Sequence, residues 1–392
     1  MISADQIPLK YLATPVKNLN EALTETNLLS LSYGRIVRKD ITSNESLLPE
    51  SFNGYNIVQN GDVVLRLTDM QNDQRSLRSG LVTESGIITS AYLTLRPMPR
   101  IDSRYLAYSM HSLDTSKKLY ALGGGLRQSL SFEELGAVSL LVPSIDEQRR
   151  IADFLDDQVA RIDQVIALRQ RHLQAVMDLR VGELDEAVNA LDGRRVSFRR
   201  IGTPIKELNF GTLDVLSIYR ELGVVPRSER TDNFNVQPAD LDKYQRVKVG
   251  DLVVNKMKAW SGSVAVSDYE GLVSPDYLVC RLTSSVIPKY VHHVLRSHRF
   301  ISEMRIRSKG IRPNQERLYW EDLGEIPIPL ADLRSQESLV SRMEQAIGEH
   351  EIVRAPFLRD VSLLQELRTS LISAAVSGEF DVSAASGRGV PA

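Results

Sequence analysis

The fold of this chain is decided by short phrases that occur twice in the same order. Three pairs carry the repeat: TPVKNLN at 14–20 with TPIKELN at 203–209, GDVV at 61–64 with GDLV at 250–253, and GIITSAYL at 86–93 with GLVSPDYL at 271–278. The partners lie 189, 189 and 185 residues apart. This period is far longer than the roughly 20–50 residues of a solenoid unit, so the chain holds two copies of a whole domain. Two diverged copies can hold two similar but different ligands at a fixed separation.

The composition favours a globular protein with two domains and connecting segments. The chain has 392 residues, of which 42% are hydrophobic. No run approaches the ~18–20 apolar residues of a membrane span, and the N-terminus lacks the pattern of a secretion signal. Cys280 is the only cysteine, which excludes an internal disulfide and favours a buried packing role. We therefore expect a cytoplasmic protein.

Charge is divided unevenly along a chain whose formal net charge is only −2. Residues 196–331 carry 20 basic and 16 acidic side chains, whereas residues 1–145 are balanced. The segments 146–195 and 332–392 are acidic. This distribution is a mild indication of a polyanionic partner for the second copy.

The sequence pattern of each copy predicts a mixed α+β domain followed by a long helix. Short runs rich in Val, Ile, Leu and Tyr alternate with turn residues and predict strands, and helical segments follow them. The predicted parts are domain 1 at 1–145, helix 1 at 146–195, domain 2 at 196–331, helix 2 at 332–381 and a disordered tail at 382–392.

The two long helices carry one apolar stripe each. In helix 1 the stripe has heptad spacing and is interrupted by Arg169. Pro356 lies inside helix 2 and is expected to kink it or to mark a break. The stripe residues are Leu155, Val159, Ile162, Ile166, Leu173 and Val176 in helix 1 and Leu339, Met343, Ala346, Val353, Phe357, Leu364 and Leu371 in helix 2.

The most economical way to bury both stripes is against each other. Helix 1 leads into the second domain and helix 2 returns from it, so the pairing should be antiparallel. About 40 helical residues would extend roughly 60 Å. The predicted architecture is two repeated α/β domains separated by two antiparallel helices that form a coiled-coil bar with pseudo-two-fold symmetry.

The sequence contains no recognisable catalytic constellation. Phosphate-loop, zinc-protease, serine-hydrolase and adenine-methyltransferase motifs are all absent. His292, His293 and His298 are close in sequence, but packing or surface histidines are far commoner than ligands without a second cluster. We therefore predict neither a catalytic residue nor a metal site, and we favour a recognition or scaffold role.

A polar loop before the last strand of each copy is the first candidate binding surface. Glycines allow close backbone approach to a phosphate, and Arg, Gln and Asn suit base edges or phosphates. An ordinary flexible connection with solvated charges explains the pattern equally well. The candidates are Gly124, Gly125, Arg127, Gln128 and Ser129 in copy one, and Arg307, Lys309, Gly310, Arg312 and Asn314 in copy two.

The segment after the Gly-Asp strand is the second candidate surface. The copies agree up to Val64 and Val253 and then diverge, as a shared frame with different recognition residues would. Relaxed loop sequence would also look like this, and Trp260 is more often a packing residue than a base-stacking one. The candidates are Arg66, Thr68, Arg75 and Arg78 in copy one, and Lys256, Lys258 and Trp260 in copy two.

With these features placed, the chain resembles the specificity subunit of type I restriction–modification systems over almost its whole length. The resemblance rests on the order of domains and helices, on GDVV at 61–64 and GIITSAY at 86–92, and on the run from 135 through EQRRI at 147–151. The stretch LQELRTSLI at 364–372 with VSG at 376–378 also matches the family. In the second copy Gln336 is kept, but the glutamate before it is replaced by Ser335.

The resemblance implies a non-catalytic reader of double-stranded DNA. Each domain would read one part of a bipartite, asymmetric site, and the helices would set the spacer. Two adenine methyltransferase subunits would dock on this chain, with Glu147, Gln148 and Gln336 as subunit contacts, and restriction/translocase subunits would join them. S-adenosylmethionine, ATP and Mg would then belong to the partners, and this chain would hold no cofactor.

Three other functions remain open at this stage. A protein-binding adaptor with two domains on a coiled-coil bar would show no salt-dependent affinity for DNA. An enzyme with an unrecognised site would transfer methyl groups or cleave DNA by itself. A specificity subunit could also serve a methylation-only system without a nuclease.

Overall fold

The structure is a computed structural model that describes residues 4–39, 51–68, 70, 77–122, 129–220, 222–229, 241–310 and 316–382. The chain divides into two compact units. Unit 1 contains Met1–Arg169 and Arg359–Ala392, and unit 2 contains Gln170–Leu358. Each unit therefore combines one globular domain with parts of both long helices.

Unit 1 is built from short antiparallel strands and helices, and its long helix α3 continues into unit 2. Its elements are β1 (Asp5–Pro8), β2 (Ala13–Val16), β3 (Leu29–Ser32), β4 (Arg35–Arg38), β5 (Tyr55–Val58), β6 (Val63–Leu65), β7 (Ser79–Leu81), β8 (Gly86–Thr89), β9 (Leu93–Pro97), α1 (Ser103–Thr115), α2 (Phe132–Gly136), β10 (Ser139–Val142) and α3 (Ile145–Asn189).

Unit 2 repeats this series after α3. Its elements are β11 (Arg194–Ser197), β12 (Gly202–Ile205), β13 (Leu216–Tyr219), β14 (Gly223–Pro226), β15 (Gln245–Val247), β16 (Leu252–Asn255), β17 (Val264–Val266), β18 (Gly271–Val273), β19 (Tyr277–Leu282), α4 (Pro288–Arg296), α5 (His298–Arg307), α6 (Trp320–Leu323), β20 (Pro327–Leu330) and α7 (Leu333–Ser377). The last part of α7, from Arg359, belongs to unit 1.

The two units have the same sheet topology. The strand order β2-β9-β6-β7 in unit 1 corresponds to β12-β19-β16-β17 in unit 2. Three two-stranded sheets also match: β1-β10 with β11-β20, β3-β4 with β13-β14, and β5-β8 with β15-β18. The predicted α+β class with two repeated domains and two long helices is confirmed.

The repeated Gly-Asp phrase has a structural role in both units. The Asp62 carboxylate accepts two hydrogen bonds from Arg96, both at 2.9 Å, and Asp251 accepts two from Arg281, both at 3.0 Å. The side chains of Asp62 and Asp251 are 1% and 3% exposed. These bidentate pairs fasten the start of β6 to β9 and the start of β16 to β19, so the repeated aspartates stabilise the frame.

The glycines of the third repeated phrase are required by close backbone packing. A Cβ atom added to Gly86 would lie 2.5 Å from the Asn27 carbonyl oxygen, and one added to Gly271 would lie 2.6 Å from that of Asp214. No side chain fits at these distances without moving the backbone. The repeat of glycine therefore records a shared packing constraint.

The long helices pack antiparallel inside each unit. In unit 1 Arg368 pairs with Asp163 and Arg169 pairs with Asp360. In unit 2 the His172 ring lies 5.3 Å from that of Phe357, and His350 contacts Glu183 at 2.9 Å. Residue numbers rise on one helix as they fall on the other, as the connectivity predicted.

The apolar stripes lie largely inside these helix pairs. Leu155, Val159, Ile162 and Ile166 are buried, whereas Val353 is 49% exposed and departs from the expected stripe. Arg169 interrupts the stripe, and its ion pair with Asp360 explains how a charged residue is accommodated there. The helix α7 runs through Pro356 as one helix, so the alternative of a break is wrong.

Two further features of the sequence have simple structural outcomes. Cys280 lies in β19 of the four-stranded sheet of unit 2 and is buried, and burial raises the pKa of its thiol. Within the ranges that the structure describes, no helix has the length and apolar character needed to cross a membrane.

Candidate nucleic-acid interface

The two candidate surfaces of the second copy meet at the end of β16. The Leu318 amide, which follows the polar loop, donates to the Lys256 carbonyl at 2.9 Å. The Lys256 amide donates to the Asp276 carbonyl at 3.1 Å, and Lys309 pairs with Arg317 across the base of the loop. The strand end and the loop are therefore one surface, although 50 or more residues separate them in sequence.

The same junction occurs in the first copy. The Leu130 amide donates to the Leu67 carbonyl at 3.0 Å. Leu67 and Leu130 occupy the positions of Lys256 and Leu318 in the repeat. In each unit a backbone hydrogen bond therefore joins the residue after the polar loop to a residue just after the Gly-Asp strand. We call this junction and the side chains around it the tip of the unit; it is formed at Leu67 and Leu130 in unit 1 and at Lys256 and Leu318 in unit 2.

The tip of unit 2 is rich in cationic side chains. Lys258 is exposed, and the Lys309 side chain is 69% exposed while its ammonium contacts Asp322 at 2.7 Å. Arg317 pairs with Asp276 at 3.2 Å, and its side chain is 40% exposed. Exposed ion pairs of this kind contribute little to stability, so their cations remain available to an external anion.

Lys256 is held more firmly than its neighbours. Its ammonium donates to the Pro275 carbonyl at 2.8 Å. Burial lowers the pKa of Lys256; the Asp276 charge opposes this effect, and the charges of Arg317 and Lys206 add to it. A cation that is partly desolvated among other cations is suited to meeting a phosphate.

The remaining candidates of unit 2 are positioned by local contacts. Trp260 is partly buried in a short 3-10 turn (Ala259–Ser261), where its indole N–H donates to the Met257 carbonyl at 3.0 Å. Arg307 forms an ion pair with Glu303 one turn earlier in α5. Gly310 is exposed at the start of the loop.

Arg78 of unit 1 lies inside the domain and not at its surface. It is fully buried, and its guanidinium donates to the Tyr120 hydroxyl at 3.0 Å and to the carbonyls of Thr68 and Arg66 at 2.9 and 3.2 Å. Its amide also donates to the Asp114 carboxylate at 2.6 Å. The structure therefore corrects the expectation of a direct DNA contact: Arg78 holds the segment that carries Arg66 and Thr68.

The other candidates of unit 1 lie at its tip or outside the described residues. Thr68 and Ser129 are exposed, and Arg66 is half-buried. Several candidates fall outside the ranges that the structure describes: Arg75, Gly124, Gly125, Arg127, Gln128, Arg312 and Asn314.

Gln148 is an internal residue and not a surface contact. It is 1% exposed, its amide nitrogen donates to the Pro143 and Arg100 carbonyls at 2.9 and 3.1 Å, and its amide oxygen accepts from the Asp102 N–H at 2.8 Å. These bonds tie the start of α3 to the start of α1.

Gln336 makes the same three bonds in unit 2. It is fully buried, donates to the Ala331 and Ser285 carbonyls at 2.8 and 3.2 Å, and accepts from the Ile287 N–H at 2.8 Å. Glu147 is also buried, with an ion pair to Arg150. Burial corrects the expectation of subunit contacts for Gln148 and Gln336, whereas for Glu147, which pairs with the exposed Arg150, subunit contact stays a prediction.

Sequence reasoning overlooked Arg317, Lys206 and Asp276 as members of the unit 2 tip. Arg317 lies just beyond the glycine- and asparagine-containing part of the loop, and Lys206 and Asp276 lie in repeated phrases that were read as framework. The signal for two of them was position: Lys206 follows β12 and Asp276 precedes β19, at the end of the sheet where Lys256 follows β16.

Comparison with known proteins supplies the family context. No family model matches the chain. The type I restriction enzyme EcoKI specificity subunit of Escherichia coli strain K12 is 22% identical over 313 residues, which cover 73% of this chain and 67% of that protein. The chain is similar to type I restriction specificity subunits. The resemblance predicted from the repeated phrases is confirmed.

The fold of this chain also occurs in a solved structure from a type I R-M system. A chain from a structural study of complex assembly and conformational transition of the type I R-M system has a TM-score of 0.63 at 16% identity, covering 97% of this chain and 100% of that one. The HsdS subunit from Thermoanaerobacter tengcongensis is 16% identical over 96% of this chain and 97% of its own, with a TM-score of 0.41.

Proposed function

We propose that this protein is the sequence-specific DNA-recognition subunit of a type I restriction–modification complex. Each unit reads one part of a bipartite, asymmetric DNA site. The observation that carries this conclusion is the shared junction of loop and strand, Leu130 on Leu67 and Leu318 on Lys256, which presents different polar side chains on one frame. A repeated frame with diverged tips reads two different sequences in one manner.

The side chains at the tips suit two kinds of DNA contact. Lys258 and Lys309 are exposed point charges of the kind that neutralise phosphates, and such contacts fix position without reading sequence. Arg317 in unit 2 and Thr68 and Ser129 in unit 1 carry donors that can reach base edges. In this proposal the lysines provide salt-dependent affinity, and Arg317, Thr68 and Ser129 provide sequence specificity.

The long helices serve as the spacer element and as docking surfaces for methyltransferase subunits. Apolar side chains remain exposed on the helical segments of each unit even though the stripes are paired. An exposed apolar side chain on a helix that already has its partner is available to another chain. These side chains are Leu168, Leu363 and Leu367 in unit 1 and Leu179 and Ile352 in unit 2.

The proposed assembly contains two adenine methyltransferase subunits and restriction/translocase subunits. This chain is a non-catalytic member of it and holds no cofactor; S-adenosylmethionine, ATP and Mg bind to the partners. The relatives are named as specificity subunits, which does not favour the protein-binding adaptor. Because the partner is cellular DNA, the proposal places the protein in the cytoplasm.

Fluorescence anisotropy with labelled duplexes tests the tips of the recognition domains. Lys258→Ala should weaken binding to cognate and scrambled duplexes alike and lower the salt slope by about 1. Arg312→Ala, in the loop beyond the described residues, should weaken binding to the cognate duplex by ~1–3 kcal/mol if it contacts a base.

Arg199→Ala is the matched control for these variants. Arg199 is a half-exposed cation that pairs with Glu325 and precedes β12, at the opposite end of the sheet from Asn255 and Tyr277. It should bind both duplexes like the unmodified chain. Equal losses for Arg199→Ala and Lys258→Ala would show that net charge, and not the tip, governs binding and would contradict the proposal.

A further inference from the structure

Unit 2 contains a cavity that the DNA-reading role does not use. It has a volume of about 500 Å³ and lies between the second part of α3, the helices α4 and α5, and the start of α7. Three basic side chains of α4 line it: His292, His293 and Arg296. Arg180 from α3 and Arg220 from the turn after β13 also line it.

Among the described residues, the hydrogen-bond acceptors of the Arg296 guanidinium are two backbone carbonyls. It donates to the Val264 carbonyl at 3.1 Å and to the Arg220 carbonyl. Burial is the main cause that lowers the pKa of Arg296 to about 10, and the charges of Arg180 and Arg220 lower it further. Within the part of the chain that the structure describes, this largely buried cation therefore has no carboxylate as a hydrogen-bond partner.

His293 adds an unsatisfied polar atom to the same wall. The residue is 5% exposed, and its Nε2 has no hydrogen-bond partner. The nearest carboxylate oxygen, Oε1 of Glu344, is 3.9 Å away, which is too far for a hydrogen bond. Burial lowers the pKa of His293 to about 4, assisted by the charges of Lys289, Arg296 and Arg180. Buried polar atoms without partners are uncommon, and the Nε2 of His293 can form a hydrogen bond with a molecule in the cavity.

The two carboxylates that line the cavity are hydrogen-bonded to other residues of its lining, Gln174 and His298. Asp185 accepts from the His298 amide at 2.7 Å and contacts its ring Nδ1 at 2.8 Å. Asp178 accepts from the Gln174 side chain at 2.8 Å. Among the residues whose placement is described, no group of three or more His, Cys, Asp or Glu could hold a metal ion. Burial lowers the pKa of His292 and of His293, so at neutral pH the positive charge on the α4 wall is that of Arg296.

The equivalent cavity of unit 1 contains an arginine that is paired with a carboxylate. This cavity is smaller, about 290 Å³, and His111 occupies the position of Arg296 in the repeat. Arg368 occupies the position of Arg180 and is paired with Asp163, which also binds Arg35. Unit 1 thus has a neutral histidine and a carboxylate.

In unit 2 this carboxylate is displaced from the cavity. Glu351 occupies the repeat position of Asp163, does not line the cavity, and pairs with Arg354 instead. Unit 2 therefore has Arg296 at the position of His111, and the acid at the position of Asp163 lies outside the cavity lining.

We propose that this cavity binds a small phosphate-bearing molecule of nucleotide size, with its phosphate on Arg296 and His293. Guanidinium groups bind phosphates with two parallel N–H donors, and the imidazole supplies one more. Met177, Val181 and Ile301 line the cavity and form an apolar wall for the rest of the molecule. The volume lies within the roughly 300–1,000 Å³ of small-molecule sites. The site is separate from the DNA-reading tips and goes beyond that role.

Isothermal titration calorimetry of the full chain tests this proposal, with AMP, adenosine and inorganic phosphate as probes. AMP should bind saturably with a Kd below about 1 mM, and adenosine at least tenfold more weakly, because only AMP carries the phosphate. Inorganic phosphate should compete with AMP. Equal binding of AMP and adenosine, or no binding of AMP, overturns the proposal.

Variants locate the binding to the cavity. Arg296→His introduces the residue that unit 1 has at this position and should weaken AMP binding at least tenfold. Arg299→Met, an exposed arginine on α5 outside the cavity, and Lys258→Ala at the DNA tip should leave AMP binding unchanged. If Arg296→His binds AMP normally, or if either control weakens AMP binding as much, the assignment is wrong.

Tryptophan fluorescence and circular dichroism report whether Arg296→His folds. If it does not fold, Arg220→Met decides the question, because Arg220 is exposed at the cavity rim and its backbone carbonyl is kept. A severalfold loss of AMP affinity in Arg220→Met supports the proposal, and unchanged affinity overturns it.

Discussion

Replacement of Gln336 by leucine separates a structural role from a role in subunit contact. Leucine has nearly the same volume, so packing is kept, but the Ile287 N–H and the carbonyls of Ser285 and Ala331 lose their partner. Each buried group without a partner costs ~1–3 kcal/mol, and water can recover part of this where the bond is only partly buried. We expect unit 2 to lose about 3 kcal/mol of unfolding free energy.

Urea unfolding followed by tryptophan fluorescence measures this loss in unit 2 alone. The chain has two tryptophans, Trp260 and Trp320, and both lie in unit 2. With a urea dependence of ~2 kcal/mol/M, the midpoint should fall by about 1.5 M. Gln148→Leu removes the equivalent bonds from unit 1 and should lower the stability seen by circular dichroism while leaving the fluorescence midpoint in place.

The matched control is Gln345→Leu, an exposed glutamine in the same helix that bonds only to Glu349. Its midpoint should change by less than about 0.3 M. A shift below about 0.5 M for Gln336→Leu, together with loss of assembly with the methyltransferase, would refute the structural role and restore the subunit-contact hypothesis.

Three further predictions address packing, pH and DNA binding. Gly271→Ala should destabilise unit 2 by more than about 2 kcal/mol, because its Cβ would lie 2.6 Å from the Asp214 carbonyl oxygen. Gly348→Ala, with open space around it, should stabilise α7 by up to ~1 kcal/mol. Unfolding followed by tryptophan fluorescence measures both, and equal unfolding free energies for the two variants would contradict this prediction. Burial holds the pKa of His293 at about 4 in the folded chain, whereas an unfolded histidine has a pKa of ~6.5. As the pH falls below ~6.5, the unfolded chain therefore binds the proton first. Unit 2 should lose roughly 3 kcal/mol of unfolding free energy by pH 4. His293→Asn should remove this part of the pH dependence, and an unchanged pH profile would refute the assignment. Lys258→Ala should lower the salt slope of DNA binding by about 1, measured by anisotropy between low and high salt, and an unchanged slope would remove Lys258 from the interface.

The sequence was sufficient for the repeat, the fold class and the two long helices, because these depend on patterns that recur along the chain. Phrases held in one order at nearly constant offsets predicted two copies, and the sheet orders of the two units agree. The antiparallel helix pairing followed from connectivity, and the pairs Arg368–Asp163 and His350–Glu183 match it.

The roles of individual polar residues could not be predicted in the same way. A buried arginine and a DNA-binding arginine look identical in sequence, and Arg78 is buried because backbone carbonyls and a tyrosine satisfy its donors. The repeat of Gln148 and Gln336 was compatible with a shared partner or with a shared internal bond, and only the structure distinguishes them. The convergence of loop and strand end depends on hydrogen bonds between distant segments, which composition does not record.

Base-resolution methylome sequencing tests the central claim most directly. Cells expressing this chain with a compatible adenine methyltransferase would be compared with cells lacking this chain, with the methyltransferase shown to be present in both. The account predicts a split, asymmetric adenine-methylated motif that disappears with the chain and whose two parts change separately when the tip of unit 1 or unit 2 is altered. A methylome that is the same with and without the chain would contradict it.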